Sequence, residues 1–483
     1  MVHIETLPNG VRLVTEKIDT VRSAALGIWV GGGSREESPQ ESGAAHFIEH
    51  MLFKGTSRRT AADIARETDA IGGQMNAFTT KECTCFYGRA LDDHLPQALD
   101  ILWDMVYGSS FTQEAVETER GVILEEIDMY EDTPDDLCGE KLFGAVFQGN
   151  SLSRPILGRP ETLEPMTGDF LRDYHRRHYR ADNTVVALAG SFTEEVLEDI
   201  RRRFSTLEPG PAPVLTPAVY TPSFVTTTKS IEQNHLTLAF PGLSYNSPKR
   251  FALQLLSSIL GGGVSSRLFQ QVRERQGLCY SVYSYGAGHA ETGVFCVYTA
   301  LNRETEGKAL ETIRRVITQF KAEGPTDEEL ERAREQSKAN VVMGLESTQS
   351  RMSHAGRSLL FSGEILSAEE IIAAYNAVTR QDVMALAEEI FRWDQVSLSA
   401  VGQVRSVEEY TELLLGSETE NRPAHPSGSV FFNSVWKTTI FLAPPEGEPR
   451  AWSRSHPLCF FTCRISWPKK GRERYSPSKR EAT

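Results

Sequence analysis

The second half of this chain repeats the first, and that repeat limits the folds open to it more than any other feature. Residues 235–240 (His-Leu-Thr-Leu-Ala-Phe) read as a strand of the same apolar character as residues 24–30 (Ala-Ala-Leu-Gly-Ile-Trp-Val). Residues 251–260 read as a second helix, and residues 280–285 as a counterpart of the strands around residues 76–87. A period of about 200 residues means a duplicated domain, because solenoid units are only roughly 20–50 residues long. Length agrees: 483 residues exceed one ordinary domain.

Within the first copy, Pro8-Asn9-Gly10 between two short alternating runs predicts a hairpin. A strand over residues 24–30 stops at Gly31-Gly32-Gly33, and helical periodicity follows over residues 43–53, 60–71 and 94–107. Strand, helices, strands, helices is the order of an α+β or mixed α/β fold. The prolines and glycine between residues 209 and 222 break all periodicity and place a linker at residues 208–224. It separates a domain at 1–207 from one at 225–417.

Residues 418–483 differ in character. They hold three tryptophans, and 11 lysines and arginines against 6 glutamates, without sustained periodicity. They read as a disordered or loosely attached tail. Removing the tail's surplus of five positive charges from the formal −14 leaves −19 on the two domains. Such a surface disfavours nucleic acid and is compatible with cationic peptides. No apolar run approaches the roughly 18 residues of a membrane span, and the opening residues lack a signal or transit pattern. The expectation is a cytoplasmic protein without membrane insertion. Seven cysteines without a C-x-x-C pair point to reduced thiols. Cys83 and Cys85 alternate on a strand and share a packing face.

The sharpest chemical signal is His46-Phe47-Ile48-Glu49-His50. On a helix, His46 and His50 lie one turn apart on one face, where two imidazoles can bind one metal ion. Glu49 beside them can take a proton from water. The order inverts the H-E-x-x-H arrangement of zinc hydrolases. A third ligand must come from elsewhere, and residues 119–126 offer three glutamates on one helix. Glu119, Ile123, Glu126 and Tyr130 form a single stripe, whereas Glu125 falls with Thr118, Gly121 and Asp128 on a more polar face. The spacing favours Glu126 as ligand and Glu119 as the acceptor of a histidine N–H. Gly261-Gly262-Gly263 lacks the Lys-Ser/Thr of a phosphate loop and reads as an element boundary.

The His46–His50 motif is followed by Met51-Leu52-Phe53-Lys54-Gly55-Thr56, and Glu119-Arg120 leads to Glu126 and Met129-Tyr130. With His178-Tyr179-Arg180-Ala181-Asp182-Asn183, these segments resemble the pitrilysin family of metallopeptidases, especially its mitochondrial-processing-peptidase-like branch, over about residues 2–415. The resemblance implies two homologous α+β domains, each a mostly antiparallel sheet flanked by helices. It implies one zinc ion per chain on His46, His50 and Glu126, with Glu49 as general base and Glu119 in support. Residues 72–79 resemble the family's substrate-binding edge strand, which makes Asn76 and Ala77 substrate contacts. Arg273 and Tyr280 match an Arg/Tyr pair that reaches the site from the opposite domain, where a cation and a phenol can steady a developing oxyanion. Asp132 and Asp136 line up with acidic positions that hold a substrate arginine, if a gap is allowed between Glu126 and Met129.

The same resemblance implies peptide or unfolded-protein substrates. It also implies that the two domains face each other across a cavity, enclosed by a homodimer or by pairing with a homologous subunit. The alternative from another class is a non-catalytic core subunit of a larger complex. Such relatives tend to have degraded motifs, and this chain keeps all four residues.

Overall fold

A computed structural model describes residues 2–210 and 215–416. The first sheet is built from β1 (Val2–Thr6), β2 (Arg12–Lys17), β3 (Ser23–Val30), β4 (Gln74–Thr79), β5 (Thr84–Leu91) and β6 (Thr184–Gly190). Its spatial order is β1-β2-β6-β3-β5-β4. The β2/β6 pair is parallel and every other pair antiparallel. The second sheet contains β7 (Phe224–Thr228), β8 (Asn234–Pro241), β9 (Cys279–Gly288), β10 (Gly293–Leu301) and β11 (Ser397–Gly402), in the order β7-β11-β8-β10-β9. Here only β7/β11 is parallel. Without β1, the two sheets agree strand for strand in order and sense. The repeat seen in the sequence is a repeat of topology, and the fold is α+β with two homologous halves.

Pro8-Asn9-Gly10 joins β1 to β2, with Gly10 at φ 102°, a conformation that costs other residues more than glycine. The three helical periodicities become helices Ala44–Met51, Ala61–Ala70 and Leu95–Gly108. The first and third bury apolar stripes against one face of the first sheet, while helix Ala61–Ala70 buries Ile64 beside Ala90, Ala98, Ile101 and Met105.

The other face explains why β3 is apolar at almost every position. Ala24, Leu26, Ile28 and Val30 join the core beneath the first half's own helices. Ala25 and Trp29 point the opposite way, into a cluster with Val14, Cys83, Cys85, Val185, Ala187 and Ala189. That cluster is closed by Met352, Ala355 and Leu359 of helix Thr348–Phe361, which belongs to the second half of the sequence. A strand covered on both faces has no solvent side on which to place polar residues.

The arrangement is reciprocal. Helix Pro134–Val146 of the first half lays Leu142 and Val146 against Ala239, Val294 and Cys296 of the second sheet. Leu137 and Cys138 of the same helix meet Val401. Each half therefore roofs the other half's sheet with one of its own helices. Contact is close enough to require glycine. A Cβ on Gly356 would sit 2.7 Å and 2.8 Å from two carbons of the Trp29 indole, well inside van der Waals contact.

Residues 215–223 carry no helix or strand, yet Tyr220 donates its hydroxyl to the Ala239 carbonyl at 3.1 Å and packs on Phe147. The tail expected at residues 418–483 and part of the linker expected at 208–224 lie outside the described residues. Among those described, no helix is long and apolar enough to cross a membrane. Cys83, Cys85, Cys138, Cys279 and Cys296 are free thiols.

Candidate metal centre

Helix Ala44–Met51 is short, and its start is fixed from outside. Gly43, at φ 98°, and Ala45 both donate backbone N–H groups to the buried Glu37 carboxylate at 2.9 Å. These two oxygens satisfy donors that the helix itself leaves unpaired. Phe47, Ile48 and Met51 anchor the helix in the core. The opposite face presents His46 and His50, whose ring centroids are 4.6 Å apart.

Helix Gln113–Glu131 crosses beside it, with Thr112 capping its start. Val116 and Ile123 seat it in the core, which turns Glu119 and Glu126 toward the histidines and leaves Glu125 exposed. Glu126 Oε2 is 3.6 Å from His46 Nε2 and 3.3 Å from His50 Nε2. One ligand atom from each of His46, His50 and Glu126 lies within 4.8 Å of the others, the only such group among the described residues. Glu119, 3% exposed, accepts from His50 Nδ1 at 2.8 Å and pairs with Lys54 Nζ at 2.6 Å.

Burial pushes His46 down to about 4, so at neutral pH its imidazole is an uncharged donor. Burial acts the same way on His50, but the Glu119 and Glu126 carboxylates outweigh it and carry that ring up to about 9. Glu49 sits half-buried beside His50. Burial raises its proton affinity, and a hydrogen bond from the Thr79 hydroxyl, 2.6 Å to Oε2, works against the rise.

Two imidazoles and a carboxylate converging on one point suit zinc, with a further position left for water or substrate. The carboxylate on the far nitrogen of His50 fixes that ring's orientation, the usual support of a metal-bound histidine. The donor set therefore fits the ion.

Other residues singled out in the sequence lie elsewhere. Asn76 and Ala77 fall on β4, an edge strand that among the described residues pairs with β5 alone, with Asn76 exposed. Because Thr79 ends the same strand, this free edge runs up to Glu49. Arg273 lies over the ring of Tyr280 at 5.2 Å, and Tyr280 is the second residue of β9, the counterpart of β4. Neither makes a described hydrogen bond or ion pair with the histidine group. Asp132 caps the end of helix Gln113–Glu131 and faces Lys229 Nζ at 3.5 Å. Asp136 stands in the first turn of helix Pro134–Val146. Sequence reasoning passed over Thr79, Lys54 and Glu37 as members of the site. Only Lys54 carried a local signal, four residues after His50.

Residues 12–160 match the family described as Insulinase (Peptidase family M16), and residues 165–337 the one described as Peptidase M16 inactive domain. An uncharacterized zinc protease of Bacillus subtilis is 42% identical over 395 residues, 82% of this chain and 97% of the relative. Another, from Streptomyces coelicolor, is 41% identical over 410 residues, 83% of this chain and 89% of the relative. The crystal structure of a peptidase M16 inactive domain from Pseudomonas fluorescens superposes with a TM-score of 0.78 at 21% identity, covering 84% of this chain and 99% of that one. Matched on both halves by family and by relatives that share four fifths of its length, the chain belongs to peptidase family M16.

Proposed function

We propose that the protein is a zinc-dependent endopeptidase that cuts extended peptides or unfolded protein segments. The observation that carries this reading is the convergence of His46, His50 and Glu126 with Glu49 at their side and a free strand edge leading to it. When bound, the ion supplies Lewis acidity, which lowers the pKa of water and polarises a peptide carbonyl. His46, His50 and Glu126 hold it, and Glu119 steadies His50. A peptide adds to β4 as a further strand, bound through its main chain and so with little regard to sequence. Glu49 takes the proton of the attacking water and returns it to the departing amine. Arg273 and Tyr280 act on the bound substrate from the second half, steadying charge that develops on the carbonyl oxygen. A homodimer, or pairing with a homologous subunit, encloses the cavity.

The intact set His46, Glu49, His50 and Glu126 speaks against a non-catalytic core subunit. Glu49→Gln should keep zinc at the wild-type level and lower hydrolysis of a quenched peptide by about 10²–10⁴-fold. Near-normal turnover in that variant would falsify the reading.

For specificity, we propose a preference for arginine close to the cut, held by Asp132 and Asp136 after the incoming guanidinium displaces Lys229 from Asp132. A charge-assisted contact contributes about 1.5–3 kcal/mol, so an Arg peptide should be cut about tenfold or more faster than its Gln twin. The Asp132→Asn, Asp136→Asn double variant should lose that ratio. A wild type indifferent to the exchange, or a double variant that still discriminates, would remove the acidic pair from the substrate site.

A further inference from the structure

The hydrogen bond that holds Glu49 starts on a strand that runs straight into the junction between the halves. Thr79 ends β4, and the turn over residues 80–83 leads into β5. Thr80 shapes that turn: its N–H donates to the Cys83 carbonyl at 2.8 Å, and its hydroxyl accepts from the Glu82 and Cys83 N–H groups at 3.3 and 3.0 Å. Gly33 and its neighbours press against it. Ser34 N–H donates to the Thr80 carbonyl at 3.2 Å and Arg35 N–H to the Lys81 carbonyl at 2.7 Å. A Cβ on Gly33 would lie 2.7 Å from the Lys81 carbonyl carbon.

At the tip of this turn Glu82 meets the β9–β10 turn, residues 289–292, which is the topological equivalent of its own turn. The Glu82 carboxylate accepts the Ala290 N–H at 3.1 Å, lies 3.6 Å from His289 Nδ1, and pairs with the Arg35 guanidinium. Arg35 is fully buried and pairs in addition with Glu291, whose carboxylate accepts the Ala218 N–H at 2.9 Å. Two carboxylates and the Thr216 carbonyl, which accepts from Arg35 Nη2 at 3.3 Å, thus fix one buried cation between the halves. A buried charge with its partners in place allows little movement, because any displacement leaves it uncompensated.

We propose that Glu82 is a positioning residue through which the second half sets the catalytic base. It ties the 80–83 turn to the 289–292 turn, and Thr79, next along the chain, holds one oxygen of Glu49. The proposal rests on the reading of Glu49 as general base. It assigns the metal-free half a task at the site of bond cleavage that needs no contact with substrate. A misplacement of about 1 Å at a reacting group can lower the rate by up to about 100-fold, so a joint three residues from Thr79 is near enough to matter.

The test is a double-mutant cycle on the full chain, reading kcat, KM and zinc content with a quenched peptide. Thr79→Val should lower kcat by about 10–100-fold with KM and zinc within twofold of wild type, and Thr79→Ser should restore most of it. Glu82→Gln should lower kcat in the same manner. If Glu82 acts through Thr79, the double variant is no slower than Thr79→Val alone. Losses that multiply, a Thr79→Ser as slow as Thr79→Val, or a Glu82→Gln that loses zinc or changes only KM would each overturn the proposal. Should Glu82→Gln not fold, Glu291→Gln loosens the same arginine from the other half and goes through the same cycle, where the same results support or overturn the coupling. Retained turnover in Glu49→Gln would instead remove the base assignment, whereas multiplying losses leave that assignment standing and remove only the coupling.

Discussion

Lys54 shows how far the site extends beyond the residues that meet at its centre. Its ammonium is 2.6 Å from one oxygen of Glu119, whose other oxygen is 2.8 Å from His50 Nδ1. Burial alone would raise Glu119's proton affinity, but His50 and Lys54 outweigh it and keep the carboxyl below its ordinary range. Lys54→Met removes that counter-charge, so Glu119 should hold His50 less well and zinc affinity should fall about 10–100-fold. Competition against a chromophoric chelator measures this directly, and an unchanged affinity would show that Lys54 is only a surface cation. The choice between Glu125 and Glu126 was legible in the sequence because helical spacing alone separates them, and the structure divides them the same way. Thr79 and Glu37 were not legible. Each reaches the helix of His46 and His50 from another segment, and a threonine on a strand or a glutamate in a loop carries no mark of the partner it will find.

At the scale of elements, the duplication could be read from the chain but the exchange of helices could not. Periodicity tells that a helix has an apolar face; it does not tell which sheet receives it. Helix Thr348–Phe361 buries Met352, Ala355, Gly356 and Leu359, one stripe, against the sheet of the other half. Its one local sign was Gly356, since glycine inside a helix costs about 1 kcal/mol relative to alanine and stays where a close approach requires it. Gly356→Val should force the Trp29 indole aside and destabilise the protein by about 1–3 kcal/mol, as overpacked cores do. Urea or thermal unfolding would detect it. A variant as stable as the wild type would mean that the interface has slack which the Gly356–Trp29 approach does not show.

At the scale of the molecule, each half has a core of its own but leaves the second face of its sheet for the other half to cover. The first half alone would expose Trp29, Ala25, Val14, Cys85, Val185 and Ala187 on its sheet, and Leu142 and Val146 on its projecting helix. A fragment of residues 1–207 should therefore bind an apolar dye and aggregate, whereas co-expression with residues 225–416 should give a pair that purifies together. A soluble fragment that unfolds cooperatively and ignores the dye would contradict this. The two equivalent turns that meet around Arg35 extend the same two-sidedness to the polar part of the junction. Mutual roofing also changes what the covalent connection between the halves is for. Separating them requires two helices to be drawn from two cores at once, so a single protease cut between residues 207 and 224 would leave the assembly standing. The peptide there acts as a tether that raises the local concentration of each half around the other while the chain folds. Its Ala218 and Tyr220 then join the junction, the Ala218 N–H donating to Glu291 and the Tyr220 hydroxyl to the Ala239 carbonyl, as in a swapped dimer whose subunits happen to share one chain.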